Sequence, residues 1–376
     1  MARTASPRRR KDSRLRVMVT GATGFVGFHT ARALHEAGHE LRLLVRSPDK
    51  MKRVLAPFGM ADLPAVHGDI ADPRAVAAAL EGCDAVVHAA AMVNVHADDA
   101  METIRTNRRG TELVVGGAVE RGIPRIVQVS SSTALFNPGL DKVDEDSPLG
   151  TQAVGYGRSK IESDLYVRGL QAKGAPVYTT YPGSIMGPDD PGLSEAMLGL
   201  KTTLDDLFVI TSSGIQIIDV RDLALAHLRL LERGGGPVRY AMGGQFFRWE
   251  EFATIVEGVV GAKLRKLRIS PRLMQAAGRL GDLLHRFMPM EVPLSFEATW
   301  YATEWTPSDD SRVQQDLGFR YRDIRETLGD SILWLADKGH LRRLDYAEHI
   351  RRSRARPARK ATSSGRRPSA RATGQG

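Results

Sequence analysis

One glycine-rich segment, residues 20–27 with the sequence TGATGFVG, constrains the fold of this chain more than any other feature. It follows an apolar run, Leu15–Val19, and it opens a segment that reads as a helix, Phe25–Ala37. A strand, a glycine turn and a helix in this order are what a dinucleotide phosphate requires, because backbone N–H groups at the helix start then face the anion. The segment therefore predicts a dinucleotide-binding turn.

Each glycine of this turn has its own expected role. Gly21 permits the tight turn, Gly24 lets the backbone approach the pyrophosphate, and Gly27 allows close packing of the helix on the strand. The cofactor-binding residues predicted in this segment are Gly21, Thr23, Gly24, Phe25, Val26 and Gly27.

Strand-like and helical segments alternate through the first half of the chain. After Leu15–Val19, the apolar runs are Glu40–Val45, Ala65–His67, Ala85–Ala90, Arg125–Val129 and Val177–Tyr181. The helical patterns between them are Pro73–Leu80, Ala100–Arg121 and Gln152–Gln171. Apolar runs that are separated by helices indicate parallel strands. The predicted fold class is α/β, a Rossmann-type doubly wound parallel sheet with a smaller C-terminal substrate-binding lobe.

Polar residues that can carry chemistry follow the fifth and precede the sixth of these strands. Ser130–Ser132 comes directly after the fifth strand, where ligands of such sheets bind. Tyr156 and Lys160 are four residues apart and share one face of a helix. A nearby ammonium favours the phenolate and lowers the phenol pKa from its ordinary value near ~10, which suits a general acid/base. The alternative for an isolated Tyr-x-x-x-Lys is a surface pair, but its position after the glycine turn and the serines favours catalysis.

Taken together, these motifs resemble the extended short-chain dehydrogenase/reductase family, also described as NAD-dependent epimerases/dehydratases. The resemblance runs from about Leu15 to Lys338 and is strongest with the dihydroflavonol-reductase-like and sterol-dehydrogenase-like branch. Further motifs that carry it are Gly68–Ile70, His88–Ala91, Asn107–Gly110, Tyr181–Pro188 and Ile218–Asp222.

The resemblance implies catalytic roles for three residues. Ser132, which precedes Tyr156 by 24 residues, is the hydroxyl that polarises the substrate, with Ser131 as the runner-up. Tyr156 is the acid/base, and Lys160 holds the nicotinamide ribose while it lowers the tyrosine pKa.

The resemblance also implies cofactor contacts. Asp69 and Ile70 resemble contacts to the adenine edge, whereas Asn107 matches an asparagine of the long helix, with an exposed helical residue as the alternative. The residues implied to line the cofactor trough and approach the nicotinamide are Ala89, Ala90, Ala91, Pro182 and Ser184, together with Tyr156 and Lys160.

The end of the second strand bears on the choice of dinucleotide. NAD-binding folds usually place an acid there, about 20 residues past the glycines, but this chain has Arg46. A guanidinium can pair with a 2′-phosphate, and Ser47, Lys50 and Arg53 can assist. Alternatives are that Arg46 packs flat on the adenine or that Asp49 turns toward the ribose. NADP(H) is therefore the predicted cofactor, and NAD(H) is the alternative.

The chain divides into four predicted parts. A disordered basic N-terminus (1–14) precedes the dinucleotide-binding Rossmann domain (15–186), and a disordered basic tail (341–376) follows the substrate-binding lobe (187–340), parts of which return to the sheet. In the lobe we expect a strand pair over Phe208–Ile218, a strand at Pro237–Met242 and helices at Val220–Glu232 and Trp249–Val260.

The stretch Pro271–Tyr301 is dense in large apolar side chains. It predicts either an apolar lid over a bulky substrate or a patch that contacts a partner or a membrane surface. The alternative is that these side chains pack onto the body of the domain. The stretch has no 18-residue charge-free run, so no transmembrane segment is expected.

Charge is concentrated at the two ends of the chain. Residues 1–16 carry a net charge of +6 and residues 351–376 of +9, which leaves about −6 for residues 17–350 of a chain whose formal net charge is +9. The basic tail can contact anionic surfaces, but no aromatic residue interleaves its charges, so specific nucleic-acid recognition is not expected.

The cysteines and histidines limit which disulfides and metal sites the chain can form. Cys83 is the single cysteine, which excludes an intrachain disulfide and fits a reducing cytoplasm, with peripheral membrane association as a variant. The ten histidines show no ligand spacing, so no metal is expected.

These features predict an NADP(H)-dependent oxidoreductase acting on a carbonyl or secondary alcohol of a small-molecule substrate that is bulky and apolar. The runner-up is a nucleotide-sugar epimerase or dehydratase with bound NAD, and a hypothesis of another class is a dinucleotide-sensing binding protein docked by its basic tail. Family analogy implies a homodimer through Ala100–Arg121 and Gln152–Gln171.

Overall fold

The computed structural model describes residues 14–92, 100–152, 155–285 and 295–355. Its centre is a parallel sheet whose strands are β1 (Arg16–Thr20), β2 (Glu40–Val45), β3 (Ala65–His67), β4 (Ala85–His88), β5 (Ile126–Val129), β6 (Val177–Pro182) and β10 (Val238–Met242). The seven strands lie in the order β10-β6-β5-β4-β1-β2-β3, and every pairing is parallel. The strand order reverses between β1 and β4, which is where such sheets bind their ligands. The predicted doubly wound sheet is confirmed.

Helices cover both faces of this sheet. The helices of the N-terminal half are α1 (Phe25–Glu36), α2 (Pro48–Leu55), α3 (Pro73–Leu80), α4 (Ala100–Thr111), α5 (Gly117–Glu120) and α6 (Gly155–Gln171). Successive side chains of a strand point to opposite faces. Accordingly, Val17 and Val19 of β1 pack in the same cluster as α1, whereas Met18 packs with α3, α5 and α6.

Local sequence explains where several helices begin and end. Ser47 and Asp72 accept hydrogen bonds from backbone N–H groups at the starts of α2 and α3, and a proline follows each cap. Helix α4 continues through a π-helical segment, Glu112–Gly116, into α5. The helix predicted over Ala100–Arg121 is therefore present, with a local change of winding.

The C-terminal part adds a lobe beside the carboxyl edge of the sheet. Its strands are β7 (Ser184–Met186), β8 (Phe208–Ile210), β9 (Gly214–Asp219), β11 (Gln245–Arg248) and β12 (Lys266–Arg268). Its helices are α7 (Glu195–Asp205), α8 (Val220–Arg233), α9 (Trp249–Val260), α10 (Pro271–His285), α11 (Phe296–Glu304), α12 (Ser311–Leu317), α13 (Ile324–Asp337) and α14 (Leu344–Ala355). Two elements of the C-terminal half return to the main sheet: α8 packs on α1, and β10 extends the sheet next to β6.

The strand pair predicted over Phe208–Ile218 is wrong. The segment does form two strands, but β8 pairs with β12, and β9 lies between β11 and β7 in a separate three-stranded sheet. The residues that connect β8 to β9 contact the end of α11 instead. The hydroxyls of Ser212 and Ser213 donate to the carbonyls of Thr303 and Trp305.

The predicted boundary of the basic tail at residue 341 is also wrong. Residues 344–355 form α14, and Tyr346, Ala347 and Ile350 are buried against α13 and α9. Ion pairs from Arg351 to Asp337 and from Arg354 to Asp330 lie along the same contact. The basic charge of the segment concealed an apolar stripe at helical spacing. Residues 1–13 and 356–376, on which the remaining predictions of disorder fall, lie outside the described residues.

Candidate active site

The glycine turn lies at the carboxyl end of β1, where α1 begins. Gly21 has a φ of +77°, and a Cβ on it would lie 2.8 Å from the Ala90 amide nitrogen. A Cβ on Gly27 would lie 2.2 Å from the Gly21 carbonyl oxygen, so the helix rests directly on the turn. Both positions therefore require glycine for reasons of backbone geometry and packing alone.

Gly24 differs from the other two glycines. A Cβ on Gly24 would meet only the Gly21 carbonyl oxygen, at an ordinary contact distance of 3.5 Å. Gly24 is exposed and is the N-cap of α1, and it has no side chain to cap the N–H groups of the first turn. These amides can receive an anion such as a pyrophosphate, and a bare backbone lets it approach. The cradle fits a dinucleotide.

The remaining predicted residues of the turn and trough surround this cradle. Phe25 is buried with Met186 in the core of the lobe, and Val26 packs against the cluster around α1, so their contribution to a ligand is through the backbone. Thr23, Ala89, Ala90 and Ala91 are partly exposed beside the turn. The Thr20 hydroxyl accepts a hydrogen bond from the Ala90 N–H at 3.1 Å, which holds the trough against β1.

Arg46 and Asp69 meet at the carboxyl ends of β2 and β3. The Arg46 Nε lies 3.9 Å from the Asp69 Oδ2, and the Arg46 side chain is 76% exposed. Such an exposed pair contributes at most about 1 kcal/mol, so the guanidinium can exchange it for another anion at little cost. Ile70 packs on Gly110, where an added Cβ would lie 2.5 Å from the Ile70 Cδ1. The predicted adenine-end residues are thus brought together.

Ser47 has a structural contact of its own. Its hydroxyl accepts a hydrogen bond from the Lys50 N–H at 3.2 Å and caps α2. Asp49 lies in the first turn of that helix. The position of Ser47 fixes the helix that follows Arg46.

The two candidate serines point in different directions. The Ser132 hydroxyl donates to the Pro182 carbonyl at 2.9 Å, so it is occupied by β6. The Ser131 hydroxyl instead lies close enough to Tyr156 to lower the pKa of the phenol. It also accepts from the N–H and the hydroxyl of Thr133 at 3.2 and 3.0 Å. The structure therefore turns the first-choice serine, Ser132, toward the backbone, whereas the runner-up Ser131 is the serine that influences Tyr156.

Tyr156 and Lys160 lie one turn apart on α6, as predicted. The Lys160 Nζ lies 5.6 Å from the centre of the Tyr156 ring and donates to the Val129 carbonyl at 3.2 Å. Lys160 is buried, and its burial lowers the pKa of the ammonium to about 8, against a smaller opposing effect of Asp164. Pro182 and Ser184, the residues predicted near the nicotinamide, flank the same end of β6.

The expected pKa of Tyr156 is wrong for this structure. Burial raises the pKa of the phenol above its usual value, and the charges of Glu195 and Glu297 raise it further, whereas the nearby Ser131 side chain lowers it. Lys160 does not offset the desolvation, because its ammonium is directed at the Val129 carbonyl. The phenol therefore holds its proton firmly at neutral pH.

Asn107 is buried, so the alternative of an exposed helical residue is wrong. Its Oδ1 accepts from the Met92 N–H at 2.7 Å, and its Nδ2 donates to the Met92 carbonyl at 2.9 Å and to the Ser159 hydroxyl at 3.0 Å. The amide joins the end of the cofactor trough to α6, next to Lys160.

Sequence reasoning missed the residues that enclose Tyr156 from the lobe. Glu297 of α11 accepts hydrogen bonds from the backbone N–H groups of Tyr156 and Gly157, and the Tyr301 hydroxyl donates to the same carboxylate. These residues are about 140 positions apart, so only the general apolar density of Pro271–Tyr301 could have drawn attention to them.

The two helices of the apolar stretch Pro271–Tyr301 differ in how their large side chains are placed. Aromatic residues of α11 and its end form a wall on Phe136, with Trp300 and Tyr301 edge-on and Trp305 stacked. By contrast, leucines of α10 are exposed: Leu273, Leu280, Leu283 and Leu284. The packing alternative therefore holds for α11 and not for this face of α10, while Phe287, Met288 and Met290 lie outside the described residues.

None of the helices in the described part of the chain is long and apolar enough to cross a membrane. No group of three or more histidine, cysteine or acidic residues there is arranged to hold a metal ion.

Comparison with known proteins bears on the same site. The sequence profile of the NAD dependent epimerase/dehydratase family matches residues 17–243, which is more than half of the chain. The chain belongs to this family. The predicted resemblance to extended short-chain dehydrogenases/reductases is therefore confirmed.

Curated relatives of this family member extend over most of the chain. Sterol demethylase protein B of Methylococcus capsulatus is 28% identical over 330 residues, which cover 86% of this chain and 98% of that protein. A 4-hydroxy-2-methyl-3-oxo-4-farnesyl-3,4-dihydroquinoline-1-oxide ketoreductase of Stigmatella aurantiaca is 29% identical over 321 residues, covering 82% of this chain and 92% of that protein. A putative dihydroflavonol 4-reductase of Synechocystis is 25% identical over 347 residues, which cover 86% of this chain and 95% of that protein.

Solved structures agree in fold. The crystal structure of gox2253 has a TM-score of 0.72 and 26% identity, with 87% of this chain and 99% of that chain covered. Vestitone reductase from alfalfa has a TM-score of 0.67 and 20% identity, with 87% of this chain and 100% of that chain covered. This similarity concerns the fold alone. The protein is an NAD(P)-dependent oxidoreductase of the extended short-chain dehydrogenase/reductase type, and this speaks against a binding protein without activity.

Proposed function

We propose that the protein is an NADP(H)-dependent oxidoreductase that transfers hydride between nicotinamide and a carbonyl or secondary alcohol of a bulky apolar small molecule. The observation that carries this proposal is the position of Tyr156. Its side chain lies at the carboxyl edge of the sheet, with Lys160 one helical turn behind it and Ser131 close enough to lower the pKa of its phenol. The aromatic wall on Phe136 stands on the lobe side of the same residue.

Support for an apolar substrate comes from this wall and from the relatives. Trp300, Tyr301 and Trp305 pack on the buried Phe136 but remain partly exposed, and aromatic side chains suit a large apolar body. The names of three relatives refer to a sterol, a farnesyl-bearing quinoline oxide and a 3-beta-hydroxysteroid. We extend that substrate class to this chain.

Support for NADP(H) comes from Arg46. A flexible, exposed guanidinium at the end of β2 can bind a 2′-phosphate through two parallel hydrogen bonds. An acidic side chain, which would select a ribose 2′-hydroxyl, does not occupy this position.

In the proposed mechanism, the chain supplies the proton and the geometry. The chemistry that the cofactor supplies when bound is hydride transfer. In the direction of carbonyl reduction, the Tyr156 hydroxyl donates its proton to the substrate oxygen, and the raised pKa of the phenol keeps that proton in place at neutral pH. The Ser131 hydroxyl hydrogen-bonds to the same oxygen as it gains charge. The Lys160 ammonium, 5.6 Å from the centre of the Tyr156 ring, would hold the cofactor ribose.

A turnover assay tests the proposal. Purified protein is mixed with NADPH or NADH and a panel of ketones and aldehydes that includes sterol ketones, and loss of the reduced cofactor is followed by absorbance. We expect turnover with NADPH and a bulky ketone, and its loss in Tyr156→Phe. The absence of turnover across the panel, or equal rates for wild type and Tyr156→Phe, would contradict the proposal.

The same preparation distinguishes the runner-up function. A dTDP-4-dehydro-6-deoxy-D-allose reductase of Streptomyces bikiniensis is among the relatives, at 27% identity over 314 residues covering 76% of this chain and 95% of that protein. Tightly bound NAD in the purified protein, together with turnover of a nucleotide sugar, would favour a nucleotide-sugar enzyme over the ketone reductase proposed here.

A further inference from the structure

The helix that carries Tyr156 is capped by a side chain from the opposite lobe. Helix α6 begins at Gly155, so Tyr156 and Gly157 belong to its first turn, whose N–H groups have no partner within the helix. The Tyr156 N–H donates to the Glu297 Oε2 at 3.2 Å, and the Gly157 N–H donates to the Glu297 Oε1 at 2.8 Å. A single carboxylate therefore satisfies the two amides that an ordinary capping side chain would serve.

The sequence around Tyr156 is shaped for this contact. A Cβ on Gly155 would lie 2.1 Å from the Glu297 Oε2, and a Cβ on Gly157 would lie 2.3 Å from the Tyr301 hydroxyl. Glycines on both sides of Tyr156 thus allow α11 to approach the helix start. The Tyr301 hydroxyl donates to the Glu297 Oε1 at 2.8 Å, which limits the freedom of the carboxylate.

Helix α11 is itself fixed to the lobe. The Trp249 indole N–H donates to the Ala302 carbonyl at 2.8 Å, and the Ser212 hydroxyl donates to the Thr303 carbonyl at 2.8 Å. The capping carboxylate is therefore held by the part of the protein that forms the aromatic wall.

We propose that Glu297 is a positioning residue for Tyr156, because its carboxylate fixes the first turn of the helix from which the phenol projects. The inference rests on the proposed role of Tyr156 as proton donor. An uncapped first turn frays, and a phenol on a frayed turn loses its alignment with the substrate oxygen. A negative charge at a helix N-terminus is also favourable in itself.

The charge of Glu297 also reaches the phenol. The groups that face Tyr156 are Glu195 from α7, Glu297 and Tyr301 from α11, Ser131 from the loop after β5, and Lys160 from its own helix. After burial, Glu195 and Glu297 both raise the pKa of Tyr156. Removing the charge of Glu297 therefore lowers that pKa, so the limb of a pH–rate profile that reports Tyr156 moves to lower pH.

The test compares Glu297→Gln with Glu304→Gln, a matched change at an exposed position on the same helix. Hydrogen–deuterium exchange of peptides covering residues 155–165 is measured without substrate, and the pH dependence of kcat is measured with NADPH and a ketone. We expect exchange at the helix start to be about tenfold faster in Glu297→Gln, the factor for losing about one hydrogen bond to a charged group. We also expect kcat to fall about tenfold and the pH limb to move downward, whereas Glu304→Gln matches wild type.

A second variant guards against misfolding. Tyr301→Phe leaves Glu297 in place but removes the hydrogen bond that restrains it, and a smaller rise in exchange at the start of α6 is expected while thermal unfolding stays cooperative. An unchanged exchange rate in Glu297→Gln, or a lowered kcat without a shift of the pH limb, overturns the inference. The exchange result does not depend on turnover, so failure of the proposed function would be seen separately, as a wild-type enzyme without activity on the panel.

Discussion

The glycine turn allows the effects of a substitution on stability and on cofactor binding to be tested separately. Gly27 leaves no room for a Cβ, whereas Gly24 does. A Cβ on Gly27 would lie 2.2, 2.4 and 2.9 Å from backbone atoms of Gly21 and Ala22, none of which can move without distorting the turn. Overpacking of this kind costs about 1–3 kcal/mol of the free energy of unfolding. Gly24→Ala adds a methyl group at an ordinary 3.5 Å contact, and its cost through the weaker helix cap is about 0.5–1 kcal/mol.

The two variants are expected to separate stability from binding. About 1 kcal/mol corresponds to roughly 2–4 °C in Tm for a domain of this size class, so Gly27→Ala should lower Tm by several degrees without any ligand. Gly24→Ala should lower Tm by less than Gly27→Ala does and should lose affinity for NADPH, because its methyl group projects to where the pyrophosphate meets the backbone. At a ligand concentration 100 times Kd, wild-type protein gains about 2.7 kcal/mol, and Gly24→Ala should gain much less.

The assay is thermal unfolding at several NADPH concentrations, with circular dichroism to verify the fold at the starting temperature. Two results would refute the reasoning. One is a Tm of unliganded Gly24→Ala that falls as far as that of Gly27→Ala, and the other is a Tm increase with NADPH in Gly24→Ala equal to the wild-type increase.

Three further predictions concern the cofactor and the catalytic side chains. Arg46→Asp should raise KM for NADPH by about 10- to 100-fold, the range for losing a charged hydrogen-bonded pair, and lower KM for NADH; an unchanged preference would contradict the role of Arg46. Ser131→Ala should lower kcat about 100-fold, whereas Ser132→Ala should mainly cost about 1 kcal/mol of stability through its lost bond to Pro182; the reverse order would return the catalytic role to Ser132. Lys160→Met should abolish turnover yet raise Tm at pH 7, because the folded-state pKa near 8 lies below the unfolded value and the buried charge destabilises the fold until pH rises through that interval. A Tm gain that persists unchanged at pH 10 would contradict that explanation.

Features that depend on neighbouring residues could be predicted from the sequence. The order strand, glycine turn and helix is local, and so is the four-residue spacing that puts Tyr156 and Lys160 on one face of α6. The alternation of apolar runs and helices was enough for the parallel sheet, because each run is bounded by its own turn signals.

Features that depend on distant partners could not be predicted. The direction of Ser132 is decided by the Pro182 carbonyl on the neighbouring strand β6, 50 residues away. Helix α14 has a strongly basic sequence, and its three buried residues gain their stability only from α13 and α9. The cap of α6 is supplied by Glu297, which no local pattern connects to Tyr156.

The burial that shifts the pKa values of Tyr156 and Lys160 also bears on the direction of the reaction. Desolvation disfavours the charged form of every group, so it raises the pKa of the Tyr156 phenol and lowers that of the Lys160 ammonium. A phenol that resists ionisation is seldom available as a base for an alcohol, but it keeps a proton ready for the oxygen of a carbonyl whose carbon receives hydride. Under the role proposed for Tyr156, we therefore expect carbonyl reduction to prevail near neutral pH and alcohol oxidation to gain as rising pH helps to remove the phenolic proton.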